Sequence, residues 1–260
     1  MQHQQSIGLA LSGGGIKGAA HVGAIKLFNE LGIQPKVFSG SSAGAIVGAL
    51  AAADYSPEQM LDFLKSMNIF KMSNFAWGKP GFINTDKFEA SLREYFPEDS
   101  FDALKYPLYV SVTDITNGYS KVIHSGPLIK ILMASSAYPV VFSPIEIDGI
   151  LYSDGAILNN FPVEPLLGKC QKIIGINVHR RKEIKNSEIS SSYKLFRRAY
   201  DIGIHYSNFK KYKYCDVVIA PDDLKKFSTL RTNHTDEIFK IGYQTALEQK
   251  DEILKLLEPI

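Results

Sequence analysis

Short apolar runs alternate with segments of helical period over the first fifty residues. Residues 7–12 form an apolar run that ends in Gly13, Gly14 and Gly15, the pattern of a buried strand closed by a turn. Ala19, Val22, Ile25 and residues 28–31 then recur at helical spacing, and Gly32 marks the stop. Residues 37–41 read as a second strand, and residues 43–53 as a helix of small side chains. Strand, turn and helix repeated at this spacing imply parallel strands joined by right-handed crossovers. The fold class is therefore α/β.

Further along, residues 57–66 read as a helix with Pro57 in its first turn, and residues 85–96 as another. Residues 108–114 alternate as a strand, with residues 119–124 as its hairpin partner across Thr116-Asn117-Gly118. Residues 127–136 are predicted helical, and residues 146–151 form a tight hairpin about Asp148-Gly149. Later strands fall at 173–178 and 217–220, and one closing helix spans 236–257. Residues 70–85 mix Phe70, Met72, Phe75, Trp77 and Phe82 with turn residues and follow no period; they cover an acyl pocket or belong to the core. With no repeat and no linker, residues 1–260 read as one domain.

Composition narrows the function classes. Of 260 residues, 29 are Lys or Arg and 27 are Asp or Glu, too even a balance for a dedicated nucleic-acid binder. The longest apolar run, residues 43–53, is too short for a membrane span. The opening MQHQQSIGLALSGGG lacks a basic n-region and breaks into glycines, unlike a secretory signal. Cys170 and Cys215 lack CxxC spacing and read as reduced thiols. A cytoplasmic location is the expectation.

The GGGIKG loop, Gly13, Gly14, Gly15, Ile16, Lys17 and Gly18, fits a dinucleotide site, a phosphate loop or an oxyanion hole. A phosphate loop needs Gly-Lys-Ser/Thr, whereas Lys17 precedes Gly18 and Ala19. A dinucleotide site needs a carboxylate at the end of the second strand, where this chain has Gly40-Ser41-Ser42.

GSSAG at 40–44 matches G-x-S-x-G with Ser42 in the nucleophile position. It sits between an apolar strand and an Ala-rich helix, the setting of a sharp turn that lifts a serine hydroxyl above a sheet, with Gly40 and Gly44 sparing it a Cβ clash. The plainer alternative is that a serine caps the helix, which leaves the two glycines unexplained. Amides of the 13–16 loop and of Ala43 would hold an oxyanion beside Ser42.

Ser42 needs a base. In the order serine, acid, histidine of the α/β-hydrolases, His179, His205 and His234 qualify by position, but none lies in a recognisable loop motif, and each reads as an ordinary surface or core histidine. Asp154 ends a short strand before Gly155 and Ala156, where a carboxylate can face a cleft. Asp148 reads as a hairpin turn and Asp114 mainly as a turn residue.

GGGIKG, GSSAG and DGA in this order, with VTDITNG and the stretch 134–163, resemble the patatin-like phospholipases over most of residues 6–180. The resemblance implies a three-layer α/β/α sandwich with a central, mostly parallel sheet, a catalytic core of about 6–180 and a basic helical part at about 181–260. It implies a Ser42–Asp154 dyad without histidine, Gly13 to Gly18 as the oxyanion hole, and hydrolysis of lipid carboxylic esters through an acyl-enzyme. Lys17 stands where the family has Arg or Lys, and Ser12 where many members have Asp. No metal, organic cofactor or nucleic acid is implied; the partner is a lipid or acyl-ester substrate. Two alternatives stand beside it: a hydrolase of small soluble esters or thioesters using the same dyad, and a non-catalytic nucleotide-binding protein built on the glycine loop.

Residues 179–213 hold ten Lys or Arg against Glu183, Glu188 and Asp201, a local net of +7 (10 − 3), interleaved with Tyr193, Phe196, Tyr200, Tyr206, Phe209 and Tyr212. This segment is either a peripheral membrane contact for anionic lipid or a solvated helix face with its aromatics turned inward.

Overall fold

The computed structural model describes residues 6–66, 86–139, 141–228 and 234–258. The 70–85 segment, read from sequence as pocket cover or core, lies outside them.

The sheet is mixed and mostly parallel. Strands β1 (Ile7–Leu11), β2 (Val37–Ser41), β3 (Leu108–Asp114), β7 (Lys172–Ile176) and β8 (Val217–Ile219) run parallel in the spatial order β3-β2-β1-β7-β8. β1 and β2 are buried at every position, which is why they read as continuous apolar or small-residue runs. β4 (Tyr119–Ile123) and β6 (Ile150–Asp154) pair antiparallel with β3, and β5 (Ile145–Ile147) with β6. The β5–β6 hairpin turns on Asp148 and Gly149, both with positive φ, as the sequence predicted.

Helices flank this sheet, giving the predicted three-layer α/β architecture. α1 (Ala19–Glu30) packs along α7 (Thr235–Glu248); α2 (Ala43–Ala52), buried throughout, lies on β1, β2 and β3. α3 (Pro57–Ser66) and α4 (Asp86–Tyr95) turn Met60, Phe63, Phe88 and Leu92 into the core. α5 (Leu128–Ser135) packs against β3 and β6. The helix predicted over 236–257 is two helices, α7 and α8 (Lys250–Lys255), parted at Gln249. The apolar period hides that break, because buried Ala246 and Ile253 keep the helical spacing across it.

One register decides where the site forms. β3 pairs with β4 over Val110 to Asp114, which occupies one edge of the strand. On the other edge β2 pairs up to Ser41↔Ser111, and β6 takes over at Val112↔Asp154. β2 runs parallel to β3 and β6 antiparallel, so their carboxyl ends meet head-on at the middle of β3.

Candidate active site

Ser42 follows the last residue of β2 and precedes the first of α2, with φ 52 and ψ −124. A non-glycine residue with positive φ is strained by roughly 1–3 kcal/mol and persists only where its surroundings fix it. The fixing contacts are explicit. The Ser42 amide donates to Ser135 Oγ at 2.8 Å, and the Ser135 hydroxyl donates to the Ser111 carbonyl at 2.7 Å. Amides of Ala45 and Ile46 donate to the Ser42 carbonyl at 2.9 and 3.1 Å. A Cβ on Gly40 would strike the Gly44 backbone, and one on Gly44 the Leu11 carbonyl, so both glycines are required by close approach.

Asp154 closes β6 and is buried. Its amide donates to the Ala137 carbonyl at 3.1 Å, its carbonyl accepts from Thr113 Oγ1 at 2.9 Å, and its Oδ1 accepts from the Ala156 amide at 2.8 Å. Burial pushes its pKa from 3.8 up to about 7, partly offset by hydrogen bonds from the Ala156 amide and from the Ser42 side chain. The structure brings these two sequence-predicted residues together. The burial of the carboxyl was not legible, and an ordinary carboxylate pKa understates it as a base.

The glycine loop divides in two. Gly13, Gly14, Gly15 and Ile16 line the same cavity as Ser42, Ala43, Asp154 and Ala156, whereas Lys17 and Gly18 do not. The Gly13 amide donates to the Asn160 carbonyl at 3.0 Å and the Lys17 amide to the Gly14 carbonyl at 3.3 Å. Those of Gly14, Gly15 and Ile16 have no partner among the described residues. Gly18 serves packing, because a Cβ there would stand 3.1 Å from that of Ala43. The Lys17 side chain is buried; its pKa falls to about 8 through desolvation, opposed by Asp201 and assisted by Arg197. Ser12, ahead of the loop, accepts from the Val178 amide at 2.9 Å and so ties the end of β1 to the chain beyond β7.

The cavity holds about 100 Å³, and its remaining lining is largely apolar: Ile46, Leu64, Phe88, Tyr138, Phe142 and Ile204 among others. Helix α6 (Ser192–Lys210) adds Tyr193, Arg197 and Asp201, which sequence reasoning did not assign to the site. Asn160 also lines it, and its buried Nδ2 has no hydrogen-bond partner among the described residues. Of the three histidines that follow Asp154, only His179 reaches the cavity; its Nε2 lies 3.3 Å from the Asp201 carbonyl, and desolvation lowers its pKa to about 4. His205 lies on α6 away from the cavity lining, and His234 is exposed beside Glu237. The aromatics of 193–212 split instead of all turning inward: Tyr200 packs on Tyr138 and Tyr212 on Phe161, while Phe196, Tyr206 and Phe209 face outward.

A strained serine between a strand and a helix thus faces a buried carboxyl in a cavity lined by the glycine loop. The profile of the patatin-like phospholipases matches residues 9–167, and the chain belongs to that family. An uncharacterized NTE family protein of Mycobacterium tuberculosis is 32% identical over 164 residues, covering 62% of this chain and 46% of that protein. Lysophospholipase NTE1 of Saccharomyces cerevisiae is 28% identical over 181 residues, covering 67% of this chain and 11% of that protein. The chain thus spans less than half the length of these curated relatives. Among solved structures, VipD from Legionella pneumophila superposes with a TM-score of 0.56 at 16% identity, covering 95% of this chain and 67% of that one, a likeness of fold.

Proposed function

We propose that this chain is a serine acyl hydrolase that cleaves carboxylic ester bonds of lipids, with Ser42 as nucleophile and Asp154 as its base. One observation carries the reading: the carboxyl that meets Ser42 is buried, with a pKa near 7. A base of that pKa is half ionised at neutral pH and accepts a proton from an alcohol far better than an ordinary carboxylate does.

Ser42 Oγ attacks the ester carbonyl carbon as its proton passes to Asp154, and the carbonyl oxygen becomes an oxyanion. Amides of Gly14, Gly15 and Ala43 are the donors for that charge, assisted by the N-terminus of α2; one such donor contributes about 2.7–4 kcal/mol to the transition state. The tetrahedral species collapses, the C–O bond to the alcohol breaks, and Asp154 returns its proton to the leaving oxygen. A water molecule then attacks the acyl-serine, giving its proton to Asp154. The acid departs and Ser42 recovers its proton.

The lipid rather than small-ester substrate is supported by the apolar lining around Ile46, Leu64, Phe88 and Phe142. The lysophospholipase activity in the name of the yeast relative points the same way. A nucleotide-binding role finds no support, because Ser41 and Ser42 stand where the ribose carboxylate belongs and the loop opens on an apolar cavity. Hydrolysis of a 4-nitrophenyl ester series tests the choice: rates rising with acyl length support a lipid substrate, and rates highest for acetate favour a small-ester hydrolase.

A further inference from the structure

Helix α6 has its apolar side toward solvent. Its inner side carries Tyr193, Arg197, Asp201 and Ile204, which line the cavity. The opposite side carries Leu195, Ala199, Ile202, Tyr206 and Phe209, spaced alternately by four and three residues so that they form one stripe along the helix. Leu195 is 56% exposed, Ile202 48%, and Tyr206 and Phe209 61% each. A contiguous uncovered row of this kind marks a surface that meets something.

Charge identifies the partner. Lys194 and Arg198 border the stripe on one side and Lys210 on the other, and none forms an ion pair with a carboxylate among the described residues. Their direct contacts are a hydroxyl, a carbonyl and a ring: Lys194 Nζ to Ser190 Oγ at 2.8 Å, Arg198 to the Lys182 carbonyl at 2.8 Å, and Lys210 Nζ 4.4 Å from the Tyr206 ring centre; Lys194 and Arg198 act on Glu188 and Asp201 only at longer range. Asp201, the one acid of the helix, is on the cavity side. An apolar stripe between cations that have no carboxylate in salt-bridge contact among the described residues matches the boundary between acyl chains and anionic headgroups. A second copy of the chain fits poorly, because a symmetric pair through this face would set the same cations against each other.

We propose that the outer side of α6 docks on an anionic lipid bilayer, with Leu195, Ile202, Tyr206 and Phe209 entering the interface and Lys194, Arg198 and Lys210 meeting phosphates. The opposite side of the same helix lines the cavity, so docking holds the cavity at the membrane surface. That consequence rests on the lipid-hydrolase reading; the docking itself does not.

Co-sedimentation with vesicles of equal parts phosphatidylglycerol and phosphatidylcholine tests it, using the full chain carrying Ser42→Ala so that binding is measured without turnover. Binding is expected to the mixed vesicles and not to phosphatidylcholine alone. Neutralising Lys194, Arg198 and Lys210 to Gln should weaken partitioning by roughly 100-fold, at about 1 kcal/mol per basic residue. Tyr206→Ser with Phe209→Ser should weaken it at least about tenfold. In the Ser42 background, both sets should keep hydrolysis of a soluble short-chain ester, which reports that they fold. Equal binding to neutral vesicles, or indifference to both sets, overturns the proposal. So does a dimer in vesicle-free solution that Tyr206→Ser with Phe209→Ser dissociates, which would assign the face to a second copy. Vesicle binding by a chain that hydrolyses no lipid would leave the docking intact and remove the enzymatic reading.

Discussion

Ser42 and Asp154 stand at the ends of two strands that approach each other head-on along one edge of β3. Ser41 is opposite Ser111 and Asp154 opposite Val112, so adjacent residues of β3 set the meeting point. The separation of Ser42 and Asp154 is thereby set by sheet register.

Ser42→Ala and Asp154→Asn should each lower kcat/KM for ester hydrolysis by about a thousandfold or more while the fold is kept. Circular dichroism beside the kinetics separates loss of chemistry from loss of structure. Most activity remaining in Asp154→Asn would transfer the role of base to another residue.

Asp154 also gives a stability signature. Its folded-state pKa of about 7 lies above the ordinary 3.8, so the folded chain binds this proton more tightly than the unfolded chain does. Stability from this source is complete below about pH 4 and is lost as pH rises through about 7, by an amount on the order of 4 kcal/mol. Asp154→Asn should therefore gain in melting temperature over the parent between pH 5 and 8, as followed by thermal melts across that range. A gap that does not change with pH would contradict the burial argument.

Ser135 positions Ser42 without touching the reacting atoms. Ser135→Ala removes the acceptor for the Ser42 amide and the donor to Ser111. It should cost about 1–3 kcal/mol of stability. Because the elbow loosens, kcat should fall several-fold with KM nearly unchanged, which steady-state kinetics will read. A change confined to stability would make Ser135 merely structural.

His179 lines the cavity but is held neutral by burial and turned toward the Asp201 carbonyl. His179→Gln should retain activity within about tenfold, and His205→Gln and His234→Gln within about twofold. Loss of a thousandfold in any one of them would indicate a histidine triad.

The parts of the site that depend on local chain chemistry were legible in the sequence. A serine between glycines at a strand-to-helix turn declares its geometry within five residues, and Asp154 was visible as a strand-ending carboxylate. The pairing of the two is non-local, because it follows from β2 and β6 sharing one edge of β3. Ser135 looks like any helical serine until its hydroxyl is seen under Ser42. Asn160 stands out in the sequence only as part of the 134–163 stretch, and the lack of a partner for its amide among the described residues is a property of packing. Lys17 was grouped with the loop by sequence position, whereas its side chain is buried near Asp201, clear of the cavity lining. Which side of α6 faces outward is left open by the sequence for a related reason: amphipathic spacing shows that a helix has two sides but not which one the body of the protein takes.

The most direct test of the dyad is the rate at which a fluorophosphonate modifies the chain, with the adduct mapped by mass spectrometry between pH 5 and 9. The expected result is an adduct on Ser42 whose rate of formation rises through an inflection near pH 7 and drops by orders of magnitude in Asp154→Asn. An adduct on another residue, or an unchanged rate in Asp154→Asn, would contradict it.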